Sequence, residues 1–368
     1  MKVFTKSGRD ARQAVFIVND ALRSLHLNLQ GSKTEILSGE DLEREIDDSD
    51  TEKIDKAYEA LQRLGSPKSA NAKKITAQLK SLQPILSRFR RGLPGSIKNL
   101  DPRDNRLFRR LMTVYGLCGR SHLQKAALAA LKELPDLRVL KKTLSYLTQL
   151  DYQTHDDTLD AIISLVEADE FPFPYQVGDV LAALARLHPT DPDPVASRIR
   201  KYAFTRKREW VIVQKAVEAV MTYPYRPQYV KSISERSLEH EHPLVRRAAC
   251  ALLLRSPKPH VRRRLSQLIH QPDHSLSHLA LYFWRFLQDD QVAMEELSRI
   301  KAGSGSDWVF LRTLPQLYAI AATDSTNVAK ELSELLKAHS ASRSAKVNWH
   351  LKCLADATAW ATHSASAG

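Results

Sequence analysis

Cysteine is the first shortage. Three residues, Cys118, Cys250 and Cys353, stand far apart with no Cys-x-x-Cys spacing. That excludes a disulfide framework and a zinc ribbon, and it fits buried thiols in a reduced compartment. Glycine is sparse at 12 residues and aromatics make up only 7% of the chain, a composition that favours helix over sheet. No apolar run is long enough to span a bilayer. Lys6, Arg9, Asp10 and Arg12 interrupt any apolar core of a secretory leader, so a cytoplasmic protein with no membrane partner is expected. Gly-x-Ser-x-Gly, a P-loop and a dinucleotide fingerprint are all missing. Gly303-Ser304-Gly305-Ser306 lacks the strand and lysine of a phosphate cradle and is expected to be a linker.

Positive charge is what the chain has in excess: 55 Lys and Arg against 42 Asp and Glu, a net +13. Such a surplus attracts polyanions through counterion release, and equally it keeps a surface soluble. Along the chain, residues 2–4 suit a strand end. Ala11, Ala14, Val15, Val18, Leu22 and Leu25 recur at helical spacing. Leu25, Leu27 and Leu29 then alternate with His26 and Asn28, Gln30-Gly31-Ser32 supplies turn chemistry, and Thr34–Ser38 suits a returning strand. An acidic connector over 40–50 follows, then helices over 51–64 and 69–91 divided by Gly65-Ser66-Pro67. The second of these carries Lys73, Lys74, Lys80, Arg88, Arg90 and Arg91.

From about residue 100 the pattern is helical and repetitive. Pro243-Leu244-Val245-Arg246-Arg247-Ala248-Ala249 resembles the second helix of a HEAT-type repeat. Related copies lie near 210–217 and 275–283, with partner helices expected near 227–239 and 257–271. A more degenerate copy begins at Ser121. Prolines at 172, 174, 192 and 194 mark turns between helices. The expected organisation is mostly α. A small α+β piece (1–39) leads, followed by the connector (40–50), basic helices (51–99), a HEAT-like α-solenoid (100–358) and a disordered tail (359–368).

The opening segment carries a resemblance. Leu25-His26-Leu27-Asn28-Leu29 followed by Lys33-Thr34-Glu35-Ile36 is similar to the reverse-transcriptase palm just after its Tyr-x-Asp-Asp turn. His26 stands where that family usually has glycine. The register is specific but covers about a tenth of the chain. A helical-repeat extension behind a palm resembles the abortive-infection and defence reverse transcriptases of bacteria.

The resemblance implies a strand-helix-β-hairpin palm remnant and thumb-like helices over 51–99. It further implies Lys33 as the palm lysine near the triphosphate and an RNA or DNA template-primer as partner. In the complete enzyme two Mg2+ ions drive nucleotidyl transfer. It places the metal-bearing loop ahead of Met1, so this chain alone is expected to be inactive and to need no cofactor of its own. That leaves room for a separate palm half and for an oligomer.

The adjacent pairs Asp47-Asp48, Asp156-Asp157 and Asp289-Asp290 lack the Tyr-x-Asp-Asp context and are expected at loops or helix ends. His274 and His278 have zinc-compatible spacing but no third ligand, and His240 and His242 are expected to cap or face solvent. Basic clusters at Arg198 and Arg200, Arg206-Lys207-Arg208, Arg246-Arg247 and Arg262-Arg263-Arg264 are expected to form a cationic stripe for nucleic acid. The alternative is a non-enzymatic basic repeat scaffold that binds nucleic acid or protein.

Overall fold

A computed structural model describes residues 8–24, 49–64, 72–90, 92, 100–133, 137–151, 153, 155–167, 174–203, 209–303 and 306–365. Among these residues the regular elements are all helices and no strand occurs, so the mostly helical expectation holds. The strand expected at 2–4 and the hairpin expected within 25–38 lie outside the described residues. The helix expected between them is α1 (Gly8–Ser24). No described helix is long and apolar enough to cross a membrane. The chain divides into two compact units, Met1–Tyr146 and Leu147–Gly368.

In unit 1, α2 (Ser49–Leu64) begins with Asp50 and Glu52 and ends with Arg63, charges that match the helix dipole at each end. Ile54, Ala57 and Leu61 recur along its inner face and are buried. The helix expected over 69–91 is broken into α3 (Ala72–Ser81) and a single turn, α4 (Gln83–Leu86). Pro84 is the cause: it offers no N–H and is tolerated only in a helix's first turn, which is where it sits in α4.

Next comes α5 (Pro102–Leu117), capped by Asp101, whose carboxylate accepts the Asp104 N–H at 2.8 Å. A cap of this kind stabilises by about 1 kcal/mol. Its other end turns at Gly119, which has φ +60°, while Arg120 N–H reaches Tyr115 O and Gly119 N–H reaches Gly116 O. This left-handed closure is what a glycine after the helix permits. A 3-10 turn (Ser121–Leu123), α6 (Gln124–Lys132) and α7 (Leu137–Leu147) follow. Phe89 and Phe108, with ring centroids 5.4 Å apart, are both fully buried and join the α4 turn to α5.

Unit 2 begins with α8 (His155–Glu167) and is built on a row of four helices: α9 (Pro174–Arg186), α11 (Trp210–Thr222), α13 (Pro243–Leu253) and α15 (His274–Gln288). Each row helix packs on the next, with buried Ala216, Ala219, Ala249 and Ala280 among its small residues. Partner helices alternate with them: α10 (Asp193–Ala203), α12 (Pro227–Leu238), α14 (Lys258–Ile269) and α16 (Asp290–Gly303). The copies expected near 210, 243 and 275 thus fall on row helices, and the two expected partner helices are α12 and α14.

The remaining helices are α17 (Asp307–Arg312), α18 (Leu314–Ala321), α19 (Thr326–Ala338) and α20 (Ala345–Ala365). They fold back on the row: α18 packs on α11 and α15, and α20 on α18 and α19. Helix α20 continues to Ala365, into the 359–368 stretch expected to be a disordered tail.

Candidate nucleic-acid interface

Nine Lys and Arg and no Asp or Glu lie between Ala60 and Leu100. This acid-free stretch includes α3, whose Ile75 and Leu79 point into unit 1 while Lys73, Lys74 and Lys80 are exposed. Lys73 and Lys80 are seven residues apart, two helical turns, and so share one face. Among the described residues none of these three lysines has a carboxylate within ion-pair distance, and neither has Arg90. Lys73 and Lys74 occupy the first turn of α3, where the helix dipole opposes a cation. Their position therefore does not serve the helix.

Arg88 differs. It lies 3.6 Å from Asp50 and 3.5 Å from Asp104, and Asp50 also meets Arg103 at 3.3 Å. This network ties α2, the turn after α4 and the start of α5 together, so part of Arg88's charge is spent inside the unit. Arg91 lies outside the described residues, as does Lys33.

Unit 2 uses its cations another way. Arg246 donates two hydrogen bonds to Asp273, at 3.0 and 2.6 Å, and others to His240 O and Glu241 O. Those Arg246 bonds hold the Asp273 carboxyl below the usual carboxylate range. In the Arg262-Arg263-Arg264 run, Arg262 pairs with Asp324, which Lys258 also holds, and donates to Ala322 O at 3.3 Å. Arg264 forms two bonds to Glu235, at 2.9 and 2.7 Å, and one to Gln267 at 2.7 Å. Arg263 alone of the three is exposed, with His260 Nδ1 3.4 Å away. Arg200 lies over the Tyr229 ring at 4.8 Å. Arg206, Lys207 and Arg208 lie outside the described residues.

The other chemistry-bearing residues have local duties. Asp156 accepts from the Thr190 N–H (3.0 Å) and hydroxyl (2.6 Å). Asp289 accepts from Gln291 and Val292 N–H and so caps α16. Asp47 and Asp48 lie outside the described residues. His240 accepts from His242 N–H and His242 from Leu244 N–H, and the His242 ring stacks on Trp210 at 3.8 Å. Among the described residues no three His, Cys, Asp or Glu side chains converge as a metal site would require. A cleft of about 440 Å³ is lined by Asp156, Asp160, Asp191, Thr190 and Arg198 over Leu159 and Ile163. Three carboxylates at its rim repel a phosphate backbone.

One constellation escaped sequence reasoning. Lys346, in the first turn of α20, is fully buried, donates to Ala185 O (2.9 Å) and Leu187 O (2.8 Å), and lies 4.1 Å from the Tyr223 ring centroid. Burial pushes its ammonium well below the usual lysine range. One turn on, His350 reaches Thr222 O (3.2 Å) and Tyr318 Oη (2.9 Å). Arg255, which follows α13, is also buried and donates to Val220 O (2.6 Å), Met221 O (3.0 Å) and Tyr225 O (3.5 Å).

Ala185, Val220, Met221 and Thr222 close α9 and α11, helix ends whose last carbonyls are left short of intrahelical donors, although Val220 O also accepts the Tyr223 N–H. Donors from Lys346, Arg255 and His350, elsewhere in unit 2, satisfy them. The available signal was faint: Lys346, His350 and Cys353 fall four and three residues apart, a stripe beside the apolar Val347, Leu351 and Leu354.

No known family and no curated protein matches this chain.

Proposed function

We propose that this chain is the C-terminal, template-primer-gripping part of a reverse transcriptase of the bacterial defence type, with the solenoid as its extension. The observation that carries the reading is the order in the sequence. The Leu25–Ile36 register resembling the palm is followed, after the acidic connector and α2, by the acid-free stretch with its unpaired cations. A thumb grips a duplex through phosphate contacts, which require cations that are not already neutralised. Lys73, Lys74, Lys80 and Arg90 meet that requirement, and Lys33 takes the family role beside the triphosphate.

The donor set does not fit the paired magnesium ions of that chemistry: Tyr-x-Asp-Asp is absent from the sequence, and the described Asp pairs are engaged locally. The metal-binding carboxylates would have to come from polymerase residues other than these. Primer extension with Mg2+ and deoxynucleotides tests this directly. The chain alone should incorporate nothing, and robust incorporation would overturn the reading. An RNA–DNA hybrid should bind tightly at low salt and weakly at high salt.

A second reading, a repeat scaffold without enzymatic partners, is favoured by one observation. The cations of α13 and α14 in unit 2 are largely matched to carboxylates. Failure to bind any hybrid at low salt would select it.

A further inference from the structure

The start of α20 is attached to unit 2 by an unusual mixture. Val347, Leu351 and Leu354 are buried apolar anchors. Beside them lies a polar set reaching across to the ends of α9 and α11 and to α8. Ser344 caps α20, accepting Val347 N–H at 3.3 Å, and its hydroxyl lies 2.6 Å from His188 Nδ1. The His188 backbone N–H donates to His155 Nδ1 at 2.9 Å, and the two rings stack with centroids 5.9 Å apart.

These contacts fix protonation states. Thr222 O can only accept, so His350 Nε2 carries a proton, and in the neutral ring Nδ1 takes the Tyr318 hydroxyl proton. His155 Nδ1 accepts a backbone N–H, so its proton lies on Nε2. His155 is therefore neutral, with its Nδ1 lone pair in use, and burial favours the neutral form of His350. A second proton on His155 would set two donors against each other. On His350 it would force the Tyr318 hydroxyl to turn away.

The surroundings place no buried carboxylate beside these rings. The groups facing this set are Lys346 and Cys353 from α20, Arg255 after α13, Tyr223 and Tyr225 after α11, and Tyr318 from α18. Lys352 and Asp356 lie farther along α20 near Cys353, while Asp151 and Asp156 lie near His155 from the exposed side. Among the described residues the sole buried carboxylate is Glu296 on α16, bonded to Arg299 and Tyr282.

We propose that the start of α20 is a releasable strap, closed at neutral pH and opened by mild acid, when His155, His188 and His350 gain protons beside Lys346 and Arg255 with no buried acid to offset them. Burial pulls His155 down to about 4 and His188 to about 2, and it drives His350 well below the usual histidine range. A detached histidine titrates near 6.5, so acid favours detachment from about pH 6.5 downward. The polar nature of the attachment favours reversibility, because the released groups regain water.

Hydrogen exchange of the full chain at pH 7.5 and 5.5, corrected for intrinsic rates, tests the strap. Amides of 345–354 and of 185–188 should exchange about tenfold faster per titrating histidine at the lower pH. Amides of α11 and α13 should hold their protection. A combined His155→Asn and His350→Gln variant keeps donors and acceptors without titrating, and should lose most of the response. Equal loss across the row and α20, no change at either, or an undiminished response in the variant would each overturn the proposal. Should the variant fail to fold, the two-pH comparison on the natural chain decides.

Discussion

Unit 1 and unit 2 have opposite charge economies. Unit 1 holds 28 Lys and Arg against 17 Asp and Glu, whereas unit 2 holds 27 against 25. Nearly all of the chain's surplus thus lies in unit 1, and much of it in one acid-free stretch. Unit 2 is almost neutral, and arginines such as Arg246, Arg262 and Arg264 fasten one helix to another through carboxylates. A row of Arg codons is therefore a poor guide to a nucleic-acid surface in a helical array. What matters is whether an acid lies one repeat away. Arg246 and Asp273 are 27 residues apart, and Arg264 and Glu235 are 29 apart, close to the repeat length.

The largest effect should come from unit 2's buried cations. Replacing Arg255 by Ala takes a donor from the Val220, Met221 and Tyr225 carbonyls and opens a cavity. A loss on the order of 3–5 kcal/mol in urea unfolding is expected, confined to the transition of unit 2. A loss below about 1 kcal/mol would mean that water replaces the guanidinium freely.

Charge reversal in unit 1 comes next. Lys73→Glu, Lys74→Glu and Lys80→Glu together should weaken hybrid binding and lower the salt slope by at least about 0.9 per lysine. Stability should stay within roughly 0.5 kcal/mol, because all three side chains are exposed.

Lys346 gives a pH signature. Its folded value lies below the unfolded 10.5, so the unfolded chain binds the extra proton and stability rises with pH towards 10.5. The slope is at most about 1.4 kcal/mol per pH unit in the range just below 10.5, and Lys346→Met should remove it there. A slope that survives the substitution would assign the effect elsewhere. The smallest change belongs to the surface of α2. Glu59→Gln breaks the 3.6 Å pair with Arg63 and should cost only about 0.3–0.5 kcal/mol.

Much of the architecture was readable because helical periodicity is local. The copies at Trp210, Pro243 and His274, their partner helices and the prolines at the starts of α9 and α10 follow from residues close in sequence. The break at Pro84 was equally local, yet the strong apolar spacing of Ile75, Leu79 and Leu82 obscured it. The pairing of Arg262 with Asp324, about two repeats away, could not be read, nor could Lys346 reaching Ala185 across 161 positions. Both depend on α17–α20 folding back on the row, and no residue pattern announces that return.

The most direct test of this charge division is binding of an RNA–DNA hybrid by the full chain across a salt series, with two variants beside it. The Lys73, Lys74 and Lys80 reversals should flatten the salt dependence and reduce affinity. Replacing Arg262, Arg263 and Arg264 by Ala should leave both nearly unchanged at a temperature where the array stays folded. If the arginine variant loses the hybrid and the lysine variant keeps it, the nucleic-acid surface belongs to unit 2 and the account is contradicted.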